Sequence, residues 1–201
     1  MTKLNKKLLT AIAAAIPKDN VRYFLNGLFI DYDHKRISAT DGHCLVLIEG
    51  LPELENGKGP RWVSRPAVTE FVRSLRPGVK EFDLDSLVEF ASREYESFND
   101  GRDTPEHCAE CVAYYPDVMR VIPEDSEGDK NRGRPAFFRW EYLKLIDDIE
   151  KAIGIKWPDG AVYQLPERKS NPMKVVIEQF EGLKVTVVIM PYKVCCVNAE
   201  V

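Results

Sequence analysis

The amino-acid sequence predicts an α+β fold in which a helix-on-sheet unit is repeated about three times. Three observations lead there. Apolar residues recur with helical period in three separate segments, and runs rich in β-branched and aromatic residues fill the intervals between them. The two kinds of segment then alternate in the order helix–strands, helix–strands, polar connector, helix–strands. No sequence repeat accompanies this rhythm, so the units are alike in pattern only.

The first helix is expected over residues 2–16, where Leu4, Leu8, Ala11, Ile12 and Ala15 share one stripe. Pro17 ends it, because proline lacks the amide donor and disfavours a helical residue before it. The second starts at Ser64, an N-cap residue, with Pro66 in the first turn. Val68, Phe71, Val72 and Leu75 form its apolar face, and Pro77 and Gly78 stop it. The third covers 140–153, with Tyr142, Ile146, Ile149 and Ile153 inward and Gly154 as C-cap. Strands are expected over 21–31, 36–39 and 44–48, the last two flanking a turn at Thr40-Asp41-Gly42. A hairpin is expected from 174–180 and 183–190 about Glu181 and Gly182. Residues 79–87 and 111–115 are weaker strand candidates. The organisation follows: a two-unit domain over 1–124, a polar linker over 125–136, and a half unit over 137–201.

Composition narrows the function classes. The 201 residues are 44% hydrophobic and 30% charged, enough for a core beneath a well-solvated surface. The formal charge of −4 means that contact with phosphates must come from local clustering of the 28 basic residues. No run approaches the ~18 apolar residues a membrane span needs, and the alanine-rich stretch over 8–16 lacks a signal-peptide cleavage end. Five cysteines, an odd number, fit a reducing compartment. These features predict a cytoplasmic protein.

Three stretches, in order, resemble the bacterial β sliding clamp of the replicative DNA polymerase. One is Val21-Arg22-Tyr23-Phe24-Leu25-Asn26-Gly27-Leu28 followed by Ala39-Thr40-Asp41-Gly42-His43-Cys44-Leu45. Another is Tyr115-Pro116-Asp117-Val118-Met119-Arg120-Val121-Ile122-Pro123, and the last is Val187-Val188-Ile189-Met190-Pro191-Tyr192-Lys193-Val194. The resemblance covers roughly residues 3–50, 111–125 and 137–194. It implies a DNA-clamp fold, shortened from the family's three domains to one and a half, and its compactness suggests a phage or other mobile element.

What the resemblance implies for function is a hydrophobic pocket that takes peptides from polymerases and other DNA enzymes. Carried onto matching positions, its lining is Leu25, Thr40, Gly42, His43, Leu45, Pro123, Val188, Ile189, Met190, Pro191 and Tyr192. The residue chemistry fits, since Gly42 permits close backbone approach and Met190 adapts to varied side chains. Two departures stand out. Cys44 occupies a position where the family usually has arginine, and Tyr192 replaces a small or flexible residue.

The resemblance also implies double-stranded DNA as a partner, bound without sequence preference. Lys3, Lys6 and Lys7 lie off the apolar stripe of the first helix, and Arg65, Thr69, Arg73 and Arg76 lie opposite that of the second. Cations so placed can meet phosphates without reading bases. Arg22 and Tyr23 match the start of the family's DNA-contacting strand. The third helix runs against this pattern, because Glu141, Asp147, Asp148 and Glu150 outweigh Arg139, Lys144 and Lys151. It should face away from DNA, or the protein does not encircle DNA.

Catalysis and cofactors find no support. With three histidines and no phosphate loop, nucleophile elbow or His-Glu-x-x-His element, the chain is expected to be non-enzymatic and cofactor-free. The Cys108–Cys111 pair beside His107, with Cys195 and Cys196 far away, falls short of a paired zinc motif. Two readings therefore stand. One is a homo-oligomeric processivity factor that tethers DNA enzymes. The other is a clamp-fold binding module that engages replication proteins without encircling DNA.

Overall fold

A computed structural model of the chain describes residues 3–51, 59–98, 109–123, 137–154, 162–164, 171–180 and 183–192. The expected linker over 125–136, the turn at Glu181 and Gly182, His107, Cys108, Cys195 and Cys196 lie outside the described residues.

The α+β class is what the chain adopts. Strand β1 (Lys3–Asn5) leads into helix α1 (Lys6–Ala13). Strands β2 (Gly27–Asp31), β3 (Arg36–Thr40), β4 (Cys44–Glu49) and β5 (Arg61–Ser64) follow, then helix α2 (Arg65–Ser74). Strand β6 (Glu81–Asp83), helix α3 (Leu84–Phe98) and helix α4 (Ala109–Tyr114) occupy the middle of the chain. Helix α5 (Trp140–Ile153) and strands β7 (Val162–Gln164), β8 (Met173–Phe180) and β9 (Leu183–Ile189) complete it. Among the described residues seven strands form one antiparallel sheet in the order β5-β2-β3-β4-β9-β8-β7, while β1 and β6 pair separately. The seam between β4 and β9 joins the first third of the chain to its C-terminal hairpin, with Leu45 opposite Val188 and Cys44 opposite Ile189.

The period of two along each strand decides what each face of this sheet does. Leu28, Ile30, Ile37, Ala39, Cys44, Val46, Ile48, Val175, Val185, Val187 and Ile189 join one core with the apolar stripes of α1, α2, α3 and α5. Those helices form a layer on that face, with α2 against α3, α1 against α2 and α5 against α1. The alternate residues turn to the opposite face. A smaller cluster there holds Leu25, Trp62, Cys111 and Tyr115, covered by α4. The Phe29 and Tyr115 rings stack at 4.4 Å, and the Trp62 indole donates to the Phe24 carbonyl at 2.9 Å. Gly27 is required beside it, since a Cβ there would lie 2.2 Å from the indole.

Local chemistry explains the helix ends. The Ser64 hydroxyl caps α2 by accepting from the Ala67 amide, and Gly154 closes α5 at φ 82°. Four expectations change. The first helix begins at Lys6 because residues 3–5 pair with β6. Residues 23–25 form a 3-10 turn, so the strand expected over 21–31 starts at Gly27. The segment 79–87 is a strand only over Glu81–Asp83 before α3 begins. Residues 111–115 belong to helix α4 and its end, because Cys111 and Tyr115, one helical turn apart, both pack on Leu25 and Trp62.

Candidate functional site

At the β3–β4 turn the chain reverses around Asp41. One oxygen of its carboxylate accepts from the His43 and Cys44 amides at 2.8 and 2.7 Å. The other accepts from the Tyr142 hydroxyl of α5 at 2.5 Å. The Asp41 carbonyl takes longer contacts from Asn20 and Arg22, both at 3.4 Å. Thr40 closes the turn by accepting from the Gly42 amide through its hydroxyl. Gly42 sits at φ 90°, and a Cβ there would come within 2.3 Å of the Arg22 guanidinium, so no other residue fits without displacing it. The His43 carbonyl then accepts from the Met190 amide at 2.7 Å, which ties the turn to the end of β9.

A cavity of about 360 Å³ opens beside this turn, on the sheet face away from the helix layer. This size lies in the range of sites for small molecules and peptide side chains. Leu25, Thr40, Gly42, His43, Leu45, Val188 and Met190 line it, as do Arg22, Phe24, Cys44, Tyr114, Pro116, Val118 and Val121. The walls are mostly apolar, with Arg22 and His43 at the polar side. Tyr114, Val121 and Met190 are exposed large apolar residues among them.

Seven of the eleven residues proposed for the pocket thus meet at one cavity, and four do not line it. Ile189 points the other way: it lies between Val188 and Met190, which face the cavity, and joins the helix-side core. Pro123 instead accepts the buried Lys174 ammonium on its carbonyl at 3.2 Å. Pro191 and Tyr192 lie just beyond β9, where the Tyr192 amide donates to the Phe137 carbonyl and the residue is 53% exposed. Sequence reasoning missed the wall from α4 and the 3-10 turn Val118–Val121. The signal was available in Tyr115-Pro116-Asp117-Val118, where Asp117 caps that turn through the Met119 amide.

The proposed DNA contacts divide into two places. Lys3, Lys7, Arg73 and Arg76 are exposed on β1, α1 and α2 or just after α2. Lys6 and Arg65 spend donors inward, on the Leu75 and Ile16 carbonyls. Arg73 is paired with Glu70 at 2.6 Å. Arg22 and Tyr23 lie elsewhere, beside the cavity. Helix α5 packs against α1 in the same layer with Glu141, Asp147 and Asp148 exposed, and Lys151 is engaged by Asp147 at 2.6 Å. That hydrogen bond holds the Lys151 ammonium above its usual range.

Burial sets the titration of the groups around the turn. It pushes the Cys44 thiol above its ordinary range, with the Asp41 charge adding to the effect, so the thiol is not a reactive thiolate. The Tyr142 hydroxyl is raised first by burial and then by its bond to Asp41. Among the described residues no group of His, Cys, Asp and Glu side chains is arranged to hold a metal ion.

No protein-family model matches the chain, and no curated protein does either. Solved structures do. The DNA polymerase sliding clamp from Caulobacter crescentus matches at a TM-score of 0.59 and 20% identity, over 96% of this chain and 65% of that one. The sliding clamp from Pseudomonas aeruginosa with ligand matches at 0.57 and 15% identity, over 96% and 66%. The H. pylori beta clamp in complex with diflunisal matches at 0.51 and 14%, over 94% and 64%. The chain therefore has the sliding-clamp fold and spans less than two thirds of the length of these clamps.

Proposed function

We propose that this protein is a clamp-like processivity factor that tethers a polymerase or another DNA enzyme by a peptide held in the cavity. The observation that carries the reading is the convergence of Leu25, Thr40, Gly42, His43, Leu45, Val188 and Met190 on one apolar cavity at the β4–β9 seam. An apolar groove of this kind takes its affinity from buried side chains and its selectivity from the few polar groups at its rim. No step of chemistry is required of it. In this reading residues 1–124 supply one wall as a two-unit domain and 137–201 supply the other as a half unit. A second copy of the chain would complete the assembly.

The exposed cations on α1 and α2 support a duplex DNA partner, while the exposed acids of α5 in the same helix layer favour the second reading, a binding module that does not encircle DNA. Two titrations separate them. The first reading predicts sequence-independent binding to a 30-base-pair duplex at low salt. With about four phosphate contacts, affinity should fall roughly 100-fold between 50 and 200 mM salt. It should vanish when Lys3, Lys7, Arg73 and Arg76 are replaced together by alanine. Peptide binding with no DNA binding at any salt, from a protein that stays monomeric in light scattering, selects the binding module.

A further inference from the structure

We propose that Tyr142 is a positioning residue for the cavity, holding the β3–β4 turn in shape from the opposite side of the sheet. The inference rests on the reading of the cavity as a peptide site and adds a control point to it. Tyr142 does not line the cavity. Its ring packs against the helix-side core, and its hydroxyl passes the end of the sheet to reach Asp41.

Asp41 is where the two sides meet. Its other carboxylate oxygen holds the His43 and Cys44 amides, so the oxygen bonded to Tyr142 fixes the rotation of the whole group. His43 lines the cavity, and its carbonyl holds the Met190 amide. A single bond from α5 thus bears on the turn wall and, through His43, on the strand end that forms the facing wall. Hydrogen bonds to a carboxylate are shorter and stronger than neutral ones, and this one is partly shielded from water. Without it the Asp41 side chain keeps its two amide contacts but loses the restraint on its orientation. Helix α5 also packs on α1, so a displacement in the helix layer has a route to the cavity that bypasses the sheet core.

The test is Tyr142→Phe in the full chain, which keeps the ring in the core and removes the hydroxyl. Amide exchange at His43 and Cys44 should accelerate about 5-fold or more, while Val46 and Leu47 in the middle of β4 stay unchanged. Affinity for a fluorescein-labelled pentapeptide of leucine and phenylalanine spaced by polar residues should fall about 5- to 10-fold. Unchanged exchange at the two turn amides overturns the inference. So does an equal acceleration at all four, which would mean general destabilisation. A variant that binds the peptide as tightly as the unaltered protein also overturns it and leaves the pocket intact. If the unaltered protein ignores the peptide, the pocket reading fails, and the exchange result still decides whether Tyr142 governs the turn.

Discussion

At the scale of single residues, the site depends on a few positions where only one side chain fits. Gly42 combines a left-handed backbone with a Cβ direction blocked by Arg22. Gly42→Ala should lower stability by about 1–2 kcal/mol and displace the guanidinium from the cavity edge, read as a lower melting temperature together with weaker peptide binding. The turn was legible from Thr40-Asp41-Gly42-His43, because an Asp-Gly pair between two apolar runs has a specific backbone meaning. Ile189 was not placed so well. Its neighbours Val188 and Met190 share the cavity face, and a strand sends the residue between them to the other side. Resemblance picks out a segment, but the period of two picks out which members of it can touch a ligand. The Tyr142–Asp41 bond could not be read at all, since it joins residues 101 apart in the chain.

At the scale of elements, the three helices with clear apolar stripes were legible, and so were two of their caps. Ser64 and Gly154 act where the sequence places them. Ser64→Ala should cost about 1 kcal/mol through the lost bond to the Ala67 amide, measurable by denaturant titration as a lower midpoint with an unchanged slope. Two elements were misread for physical reasons. Helix α3 carries Leu84, Leu87 and Ala91 inward at spacings of three and four, but the β-prone residues before it obscured that period. Residues 111–115 include Val112, Tyr114 and Tyr115, which favour a strand, yet the burial of Cys111 and Tyr115 with Tyr114 exposed is a helical pattern. In both cases tertiary burial overrode local strand preference. Strand β5 escaped notice because its four residues are too few to show alternation, although Trp62 anchors the second core cluster.

At the scale of the whole molecule, one antiparallel sheet separates two kinds of surface. The helix layer and the strand beside it carry most of the candidate DNA contacts on one side, and the cavity, with Arg22 and Tyr23 beside it, lies on the other. Burial on both faces of the sheet gives the protein a pH signature. Burial raises the hydroxyls of Tyr32, Tyr115 and Tyr142 and the Cys44 thiol above their usual ranges. The folded state then holds protons that the unfolded chain has released, so stability falls as pH rises. The contribution is fully present below the unfolded values, about 8.5 for cysteine and about 10 for tyrosine. Melting temperature should therefore be flat near neutrality and fall from about pH 8.5 upward. Tyr142→Phe should flatten part of the decline above about pH 10, as thermal melts across that range would show.

The fold and the place of the cavity were legible because three ordered motifs converge at the β4–β9 seam. What enters the cavity is the central claim, and titrating isotope-labelled protein with the leucine–phenylalanine pentapeptide tests it most directly. The account predicts saturable amide shifts at Leu25, Thr40, Gly42, His43, Leu45, Val188 and Met190, lost when Met190 is replaced by glutamate. Amide spectra that stay unchanged, or shifts confined to the helix layer, would contradict it.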